Sequence, residues 1–233
     1  MSWTDKQAVK VIKFLRDKYK VKCLVETGTY MGINARLHSK NFNFVLTIEK
    51  IKEYYQKATS NLYPYLNVGL VNESSPEVLR NLPSRKHKKI FYLDAHFYDP
   101  KLPKKKRFVI LDELKALKKQ KNAIIIIHDF DNGLGHITYD GIPLNLDLIR
   151  KPLFKINKNF HLYTNTLDSC DIVKPTIESI KEAGLIVDEH TLGNLEYAHQ
   201  TPRLTFRGIL YCLPTKLSPQ EMDLLGLRTI WES

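Results

Sequence analysis

Val25-Glu26-Thr27-Gly28-Thr29-Tyr30-Met31-Gly32, read together with Thr47-Ile48-Glu49-Lys50, decides the fold of this chain. The run Lys22-Cys23-Leu24-Val25 predicts a short buried strand. It ends in an acid and a glycine turn, and a helix over 33–40 follows. Phe44 to Ile48 predicts the next strand, closed by Glu49, 21 residues after Gly28. This order is the grammar of a nucleotide-type pocket at the carboxyl ends of two parallel strands. In such a pocket Gly28 lets the backbone approach the ligand, and the Glu49 carboxylate can take both hydroxyls of a ribose.

Outward from this stretch, strand-like and helix-like segments alternate. A helix is expected from Thr4 to Tyr19, with Thr4 as cap and Val9, Val11, Ile12 and Leu15 on one face. After Glu49 come a helix over 51–62, a strand over 66–71, and a helix opened by Ser75-Pro76-Glu77 as cap, first helical proline and first-turn acid. Ile90 to Leu93 is a strand ending in Asp94, Arg107 to Lys119 an amphipathic helix, and Ala123 to Ile127 a strand ending in His128-Asp129. Five such units argue a Rossmann-like, doubly wound, mostly parallel sheet with helices on both faces. With a helix over 175–183, a strand over 185–190 and an antiparallel last strand over 204–213, the sheet reaches seven strands in a single domain, 1–233. The segment 130–172 is too long for a plain connection and is expected as an inserted cap over the pocket that chooses the substrate. An alternative register makes its strand-like piece, Phe160 to Tyr163, the sixth strand.

Spacing narrows the ligand. A dinucleotide fingerprint needs G-x-G-x-x-G, and with Gly28 as its middle glycine the flanking places hold Glu26 and Met31. What stands here is E-x-G-x-x-x-G. An acid at the end of the first strand repels a pyrophosphate and suits a ligand with an amino group and a cationic sulfur. These residues resemble motif I of the class I S-adenosylmethionine-dependent methyltransferases. That resemblance implies S-adenosylmethionine as cofactor, held by Glu26, Gly28, Thr29, Tyr30, Gly32, Glu49, Glu73, Ser74 and Asp94. Asn72, Glu73 and Ser74 would meet the adenine edge.

The strand ends Phe91-Tyr92-Leu93-Asp94-Ala95-His96 and Ile126-Ile127-His128-Asp129 look like those of small-molecule O-methyltransferases. In the metal-dependent members, acids at these places hold a divalent cation. Asp94, Asp129 and Asp131 are therefore the metal candidates, for Mg²⁺ or another divalent ion. His128 stands where a carboxylate is expected, which admits Mn²⁺, Fe²⁺ or Zn²⁺. The metal-free route uses His96 or His128 as general base with Asp129 beside it, removing the acceptor's hydroxyl proton. The implied activity is methyl transfer to a hydroxyl of a small molecule or glycan. The alternatives are an RNA methyltransferase and a non-catalytic binding protein on the same fold.

The chain has 36 Lys and Arg against 25 Asp and Glu, a formal balance of +11. Clusters at 84–89 and 118–121 precede strands and fall opposite the pocket. The run 101–107 follows the fourth strand on the pocket rim, where it would steer an anionic substrate. No Asn/Asp-Pro-Pro-Tyr or catalytic-cysteine motif of nucleic-acid methyltransferases accompanies the charge. Cys23, Cys170 and Cys212 are few and unpaired by spacing, no signal core opens the chain, and no run is long enough to span a membrane; a cytoplasmic location is the expectation.

Overall fold

A computed structural model describes residues 6–84, 88–95, 101–103, 108–134, 141–166 and 208–231. Helix α1 (Lys6–Tyr19) is followed by β1 (Cys23–Thr27), α2 (Ile33–Ser39), β2 (Phe44–Ile48), α3 (Lys52–Leu62), β3 (Val68–Val71) and α4 (Ser75–Asn81). Then come β4 (Lys89–Leu93), α5 (Val109–Ala116) with a 3-10 turn over Leu117–Lys119, β5 (Ile124–Ile127), α6 (Leu146–Phe154) and β6 (His161–Asn165). Strand β7 (Leu210–Leu213), helix α7 (Pro219–Leu225) and β8 (Leu227–Trp231) complete the described chain.

The strands form one sheet in the order β3-β2-β1-β4-β5-β7-β6-β8. From β3 to β5 every pairing is parallel, with Cys23 opposite both Phe44 and Lys89 and Ile90 opposite Ile124. Strand β7 runs antiparallel between β5 and β6, and β8 pairs antiparallel with β6. Alternate strand residues feed two cores. Leu24, Ile90, Tyr92, Ile124 and Ile126 pack with Val11, Ile12 and Leu15 of α1, Ala58 of α3 and Leu225 of α7. Val25, Phe91, Leu93, Ile125 and Ile127 pack with Leu79 of α4, Ile110 and Leu114 of α5 and Ile149 and Leu153 of α6. Two-sided burial explains why β5 is four consecutive isoleucines, each fully buried and each worth about 1.5–3 kcal/mol of transfer free energy.

The expected doubly wound sheet is present, with three differences. Eight strands lie among the described residues, where seven were expected. The missed pair, α7 and β8, is announced by Ser218-Pro219-Gln220-Glu221, a capping box in which Ser218 Oγ accepts from Glu221 N and Glu221 accepts from Ser218 N. Gly226 in the left-handed region (φ 62°) ends that helix and turns the chain into β8. Second, Leu146–Phe154 and His161–Asn165, expected within a cap, belong to the fold itself as α6 and the strand β6, paired antiparallel with β7 and β8. The alternative register for the sixth strand is the one adopted, because Leu162 fits the core against α6 while Tyr163 fits the opposite one. Third, Ser74 caps α4 and Ser75 is its first residue. Thr4 and the segments 175–183 and 185–190 lie outside the described residues. No helix among the described residues is long and apolar enough to cross a membrane.

Candidate ligand pocket and active site

The carboxyl ends of β1, β2, β3 and β4 open into a cavity of about 480 Å³. That is the size of a small-ligand site. Its lining includes Glu26, Gly28, Thr29, Tyr30, Glu49, Glu73, Ser74 and Asp94, eight of the nine residues expected at the cofactor. Gly32 is the exception. It caps α2 with φ 76°, and a Cβ there would lie 2.9 Å from Leu62 Cγ, so the glycine serves helix α2 and its packing on α3. Gly28 does line the cavity, yet what excludes a side chain is protein: its φ is 80° and a Cβ would stand 2.6 Å from the Asp94 carbonyl oxygen. The turn after β1 can hug β4 only because this residue has no side chain.

Glu49 is buried, and its two oxygens accept from Tyr30 N and Ile51 N, both at 2.8 Å. A carboxylate has about four acceptor positions, so acceptor capacity remains for a ligand hydroxyl. Burial raises its pKa, against the lowering effect of the backbone donors of Ile51, Tyr30 and Lys50. Glu26 accepts from Asn34 Nδ2 and from Thr47 Oγ1, both at 2.6 Å, and Thr47 Oγ1 is 2.6 Å from Thr29 Oγ1. Burial pushes the Glu26 carboxyl up to about 7, with Asp94 and Glu49 adding to the rise. Asn72 does not reach the cavity lining; its Nδ2 donates to Glu49 O at 2.7 Å and to Lys50 O at 3.2 Å, clamping the β2 turn.

Among the described residues five acids line the cavity (Glu26, Glu49, Glu73, Asp94 and Asp112) against one cation, Lys50. In a chain of +11, this is a local reversal of sign. Apolar walls come from Ile48, Ile51, Tyr54, Pro76, Leu102 and Val109. Ile51 is 40 % exposed, an uncovered apolar surface at the mouth.

Asp94, His128 and Asp129 converge behind this cavity. His128 Nδ1 lies 3.1 Å from an oxygen of each aspartate, and one donor atom from each residue lies within 4.8 Å of the others. Asp129 has φ 52°, an unfavourable backbone for a residue with a Cβ and one that persists where surrounding structure enforces it. His128 is fully buried, its backbone N–H bound to Leu93 O, and neither it nor Asp129 lines the cavity. A general base must come within hydrogen-bond reach of the proton it takes. At this position His128 Nδ1 faces Asp94, the member of the trio that lines the cavity. Asp131 is outside the cluster; its Oδ1 accepts from Gly133 N at 3.0 Å and shapes the turn after β5. His96 lies outside the described residues.

Glu113 was not anticipated. On α5 it occupies the apolar face set by Ile110, Leu114 and Leu117, and an acid on that stripe is the signal that could have exposed it. It is fully buried, Ser75 Oγ donates to its Oε1 at 2.5 Å, and burial pushes its carboxyl up to about 7.

Two buried carboxyls with raised pKa values fix a pH dependence. The folded-state value of about 7 exceeds the ordinary 4.5, so the folded protein holds protons that the unfolded chain has released. This contribution is fully present below the unfolded value and is lost as pH rises through the folded one. Denaturant midpoints should therefore fall as pH is raised from about 5 to about 8, each pK unit corresponding to about 1.4 kcal/mol. Glu26→Gln should flatten that fall; an unchanged slope would show that Glu26 is ionised throughout.

No family model matches the chain, and no curated protein matches it in sequence. Solved structures do. An O-methyltransferase from Bacillus cereus, in complex with SAH, is similar at a TM-score of 0.52 and 12 % identity, over 89 % of this chain and 81 % of that one. Phosphoethanolamine N-methyltransferase 2 from Haemonchus contortus, in complex with phosphomonomethylethanolamine and S-adenosylhomocysteine, gives 0.52 and 12 % over 90 % of this chain and 53 % of that one. An rRNA methylase from Streptococcus thermophilus gives 0.50 and 10 %, over 89 % and 97 %. The sheet order, the antiparallel strand inserted between β5 and β6, and these likenesses agree: the chain has the class I S-adenosylmethionine-dependent methyltransferase fold.

Proposed function

We propose that the chain is an S-adenosylmethionine-dependent methyltransferase acting on a hydroxyl of a small molecule or glycan. The observation that carries this reading is the acid-lined cavity at the ends of β1 and β2. Glu49 is held there by two backbone N–H groups with acceptor capacity to spare, and Glu26 lies beside it. This donor set fits the cofactor: a carboxylate for a ribose diol, acids for an ammonium and a sulfonium, and apolar walls at Ile51 and Tyr54 for a base. When bound, the cofactor supplies an electrophilic methyl on a cationic sulfur.

The chain's own part is positioning and proton handling. Tyr30 N and Ile51 N orient Glu49. Asp94 is the member of the buried trio that lines the cavity, so the acceptor's proton passes to an Asp94 carboxylate oxygen. His128 Nδ1, 3.1 Å behind it, orients that carboxylate towards the cavity. Leu102 on the lining puts the start of the basic run 101–107 at the rim, which favours an acceptor carrying negative charge.

Calorimetry should give binding of S-adenosylmethionine and S-adenosylhomocysteine and none of NAD; the reverse would overturn the reading. Incubation with labelled donor should then mark hydroxyl-bearing small molecules or glycans. Label appearing in RNA instead would move the substrate class, and donor binding with no transfer to any acceptor would leave a binding protein.

Asp94, His128 and Asp129 also fit a divalent cation, one nitrogen with two carboxylate oxygens suiting Mn²⁺, Fe²⁺ or Zn²⁺ better than Mg²⁺. A metal site makes activity sensitive to chelator and restorable by Mn²⁺, with Mn²⁺ uptake lost in His128→Ala. Activity indifferent to chelator, with no Mn²⁺ uptake by the purified protein, would assign the trio to proton handling alone.

A further inference from the structure

We propose that Glu113 is a positioning residue of the pocket, which from its buried place on α5 fixes the first turn of α4 and the Asp94 end of β4 where they face the ligand. This rests on the reading of the cavity as the S-adenosylmethionine site.

Glu113 is fully buried on the apolar face of α5, among Ile110, Leu114 and Leu117. A carboxyl there carries a desolvation cost that a leucine or methionine of similar volume would avoid. Core packing does not account for the choice of residue. Its hydrogen-bond partner does, because Ser75 belongs to the pocket. Ser75, whose hydroxyl donates to Glu113 Oε1 at 2.5 Å, is the first residue of α4, and Ser74, Ser75 and Pro76 all line the cavity. The Thr27 hydroxyl beside Glu113 favours its charged form, and the same Oγ1 accepts from Asp94 N at 3.2 Å. Val109 and Asp112, on the same helix as Glu113, line the cavity from the other side. One buried carboxyl therefore ties together α4, α5 and the ends of β1 and β4. Buried polar networks of this kind fix one arrangement of elements that apolar packing alone would leave looser.

The test separates positioning from stability. Glu113→Met fills the same space without a hydrogen bond, and Glu113→Gln keeps an acceptor for Ser75. Glu113→Met should fold with stability equal to or above the parent, yet bind S-adenosylhomocysteine about tenfold or more weakly. Glu113→Gln should stay within about threefold of the parent affinity. A methionine variant with parent-like affinity would overturn the proposal, as would one whose affinity loss merely tracks lost stability.

If Glu113→Met does not fold, Ser75→Ala removes the same bond from the α4 side; it should weaken S-adenosylhomocysteine binding and speed ligand-free hydrogen exchange over residues 75–81, and parent-like affinity and exchange would overturn the proposal. Hydrogen exchange in the absence of ligand keeps the two readings apart. Faster exchange at Ser75 to Asn81 and at Asp94 in Glu113→Met is expected even if S-adenosylhomocysteine proves not to be the ligand. Unchanged exchange there would sink the positioning role by itself. Failure of the parent protein to bind S-adenosylhomocysteine sinks only the cofactor reading.

Discussion

Glu49→Ala should abolish measurable binding of S-adenosylhomocysteine while leaving a folded protein. In the parent, Tyr30 N and Ile51 N each spend their hydrogen bond on Glu49, at 2.8 Å, and these two residues flank the cavity. The substitution therefore removes the charged acceptor for the ligand and also releases the turns after β1 and β2 that the carboxylate pins together. Hydrogen bonds to a charged group are worth about 1.5–3 kcal/mol each, so losing two predicts an affinity drop of about 10²-fold or more. Glu49→Gln is the informative companion. Its amide has one acceptor where the carboxylate has two, so one of the two backbone N–H groups meets an NH₂. Calorimetry should place it between the parent and the alanine variant. Full affinity in Glu49→Ala would mean that the ligand sits elsewhere.

Gly28→Ala should be strongly destabilising. The left-handed φ of 80° costs a residue with a Cβ about 1–2 kcal/mol, and the added carbon would stand 2.6 Å from Asp94 O and 2.9 Å from Asp94 C. Both obstacles are backbone just past the end of β4, held to β1 by Asp94 N donating to Thr27 O at 3.3 Å. A control isolates this term. Gly133 has φ 84° and nothing within 4 Å of its would-be Cβ, so Gly133→Ala carries the dihedral cost alone. Chemical denaturation should show Gly28→Ala losing several kcal/mol, in the range of the large core defects, and Gly133→Ala losing about 1–2 kcal/mol. Equal losses would mean that β4 gives way and that close approach is not why position 28 is a glycine. Because Asp94 is the residue displaced, the folded remainder of Gly28→Ala should also lose ligand affinity.

These residues differ in how far the sequence exposes them. Glu26, Gly28 and Glu49 are legible because a parallel strand must deliver its last residue to the sheet's carboxyl edge; an apolar run ending in an acid states both the strand and the place of the acid. Helix α7 and strand β8 were legible too, through Ser218, Glu221 and Gly226, but a short helix and a half-buried edge strand carry weak periodicity. Residues 146–165 read as an excursion because a strand reached through a helix far down the chain is indistinguishable locally from a cap.

The chain by itself determines the alternation of strands and helices, the two-faced burial of β1, β4 and β5, and the acids at their ends, since each depends on neighbours within one strand or one helical turn. Tertiary structure alone decides what those ends do. It buries His128 behind Asp94 and leaves Asp129 at a left-handed φ, and it places Asp131 in a turn outside the cluster. It makes Gly28, on the cavity lining, also the seat for the Asp94 end of β4, and it brings Glu113, 38 residues from Ser75 along the chain, into a 2.5 Å bond under the pocket. Side-chain direction and long-range approach are set by how helices pack across a sheet, and that information lies in no single segment.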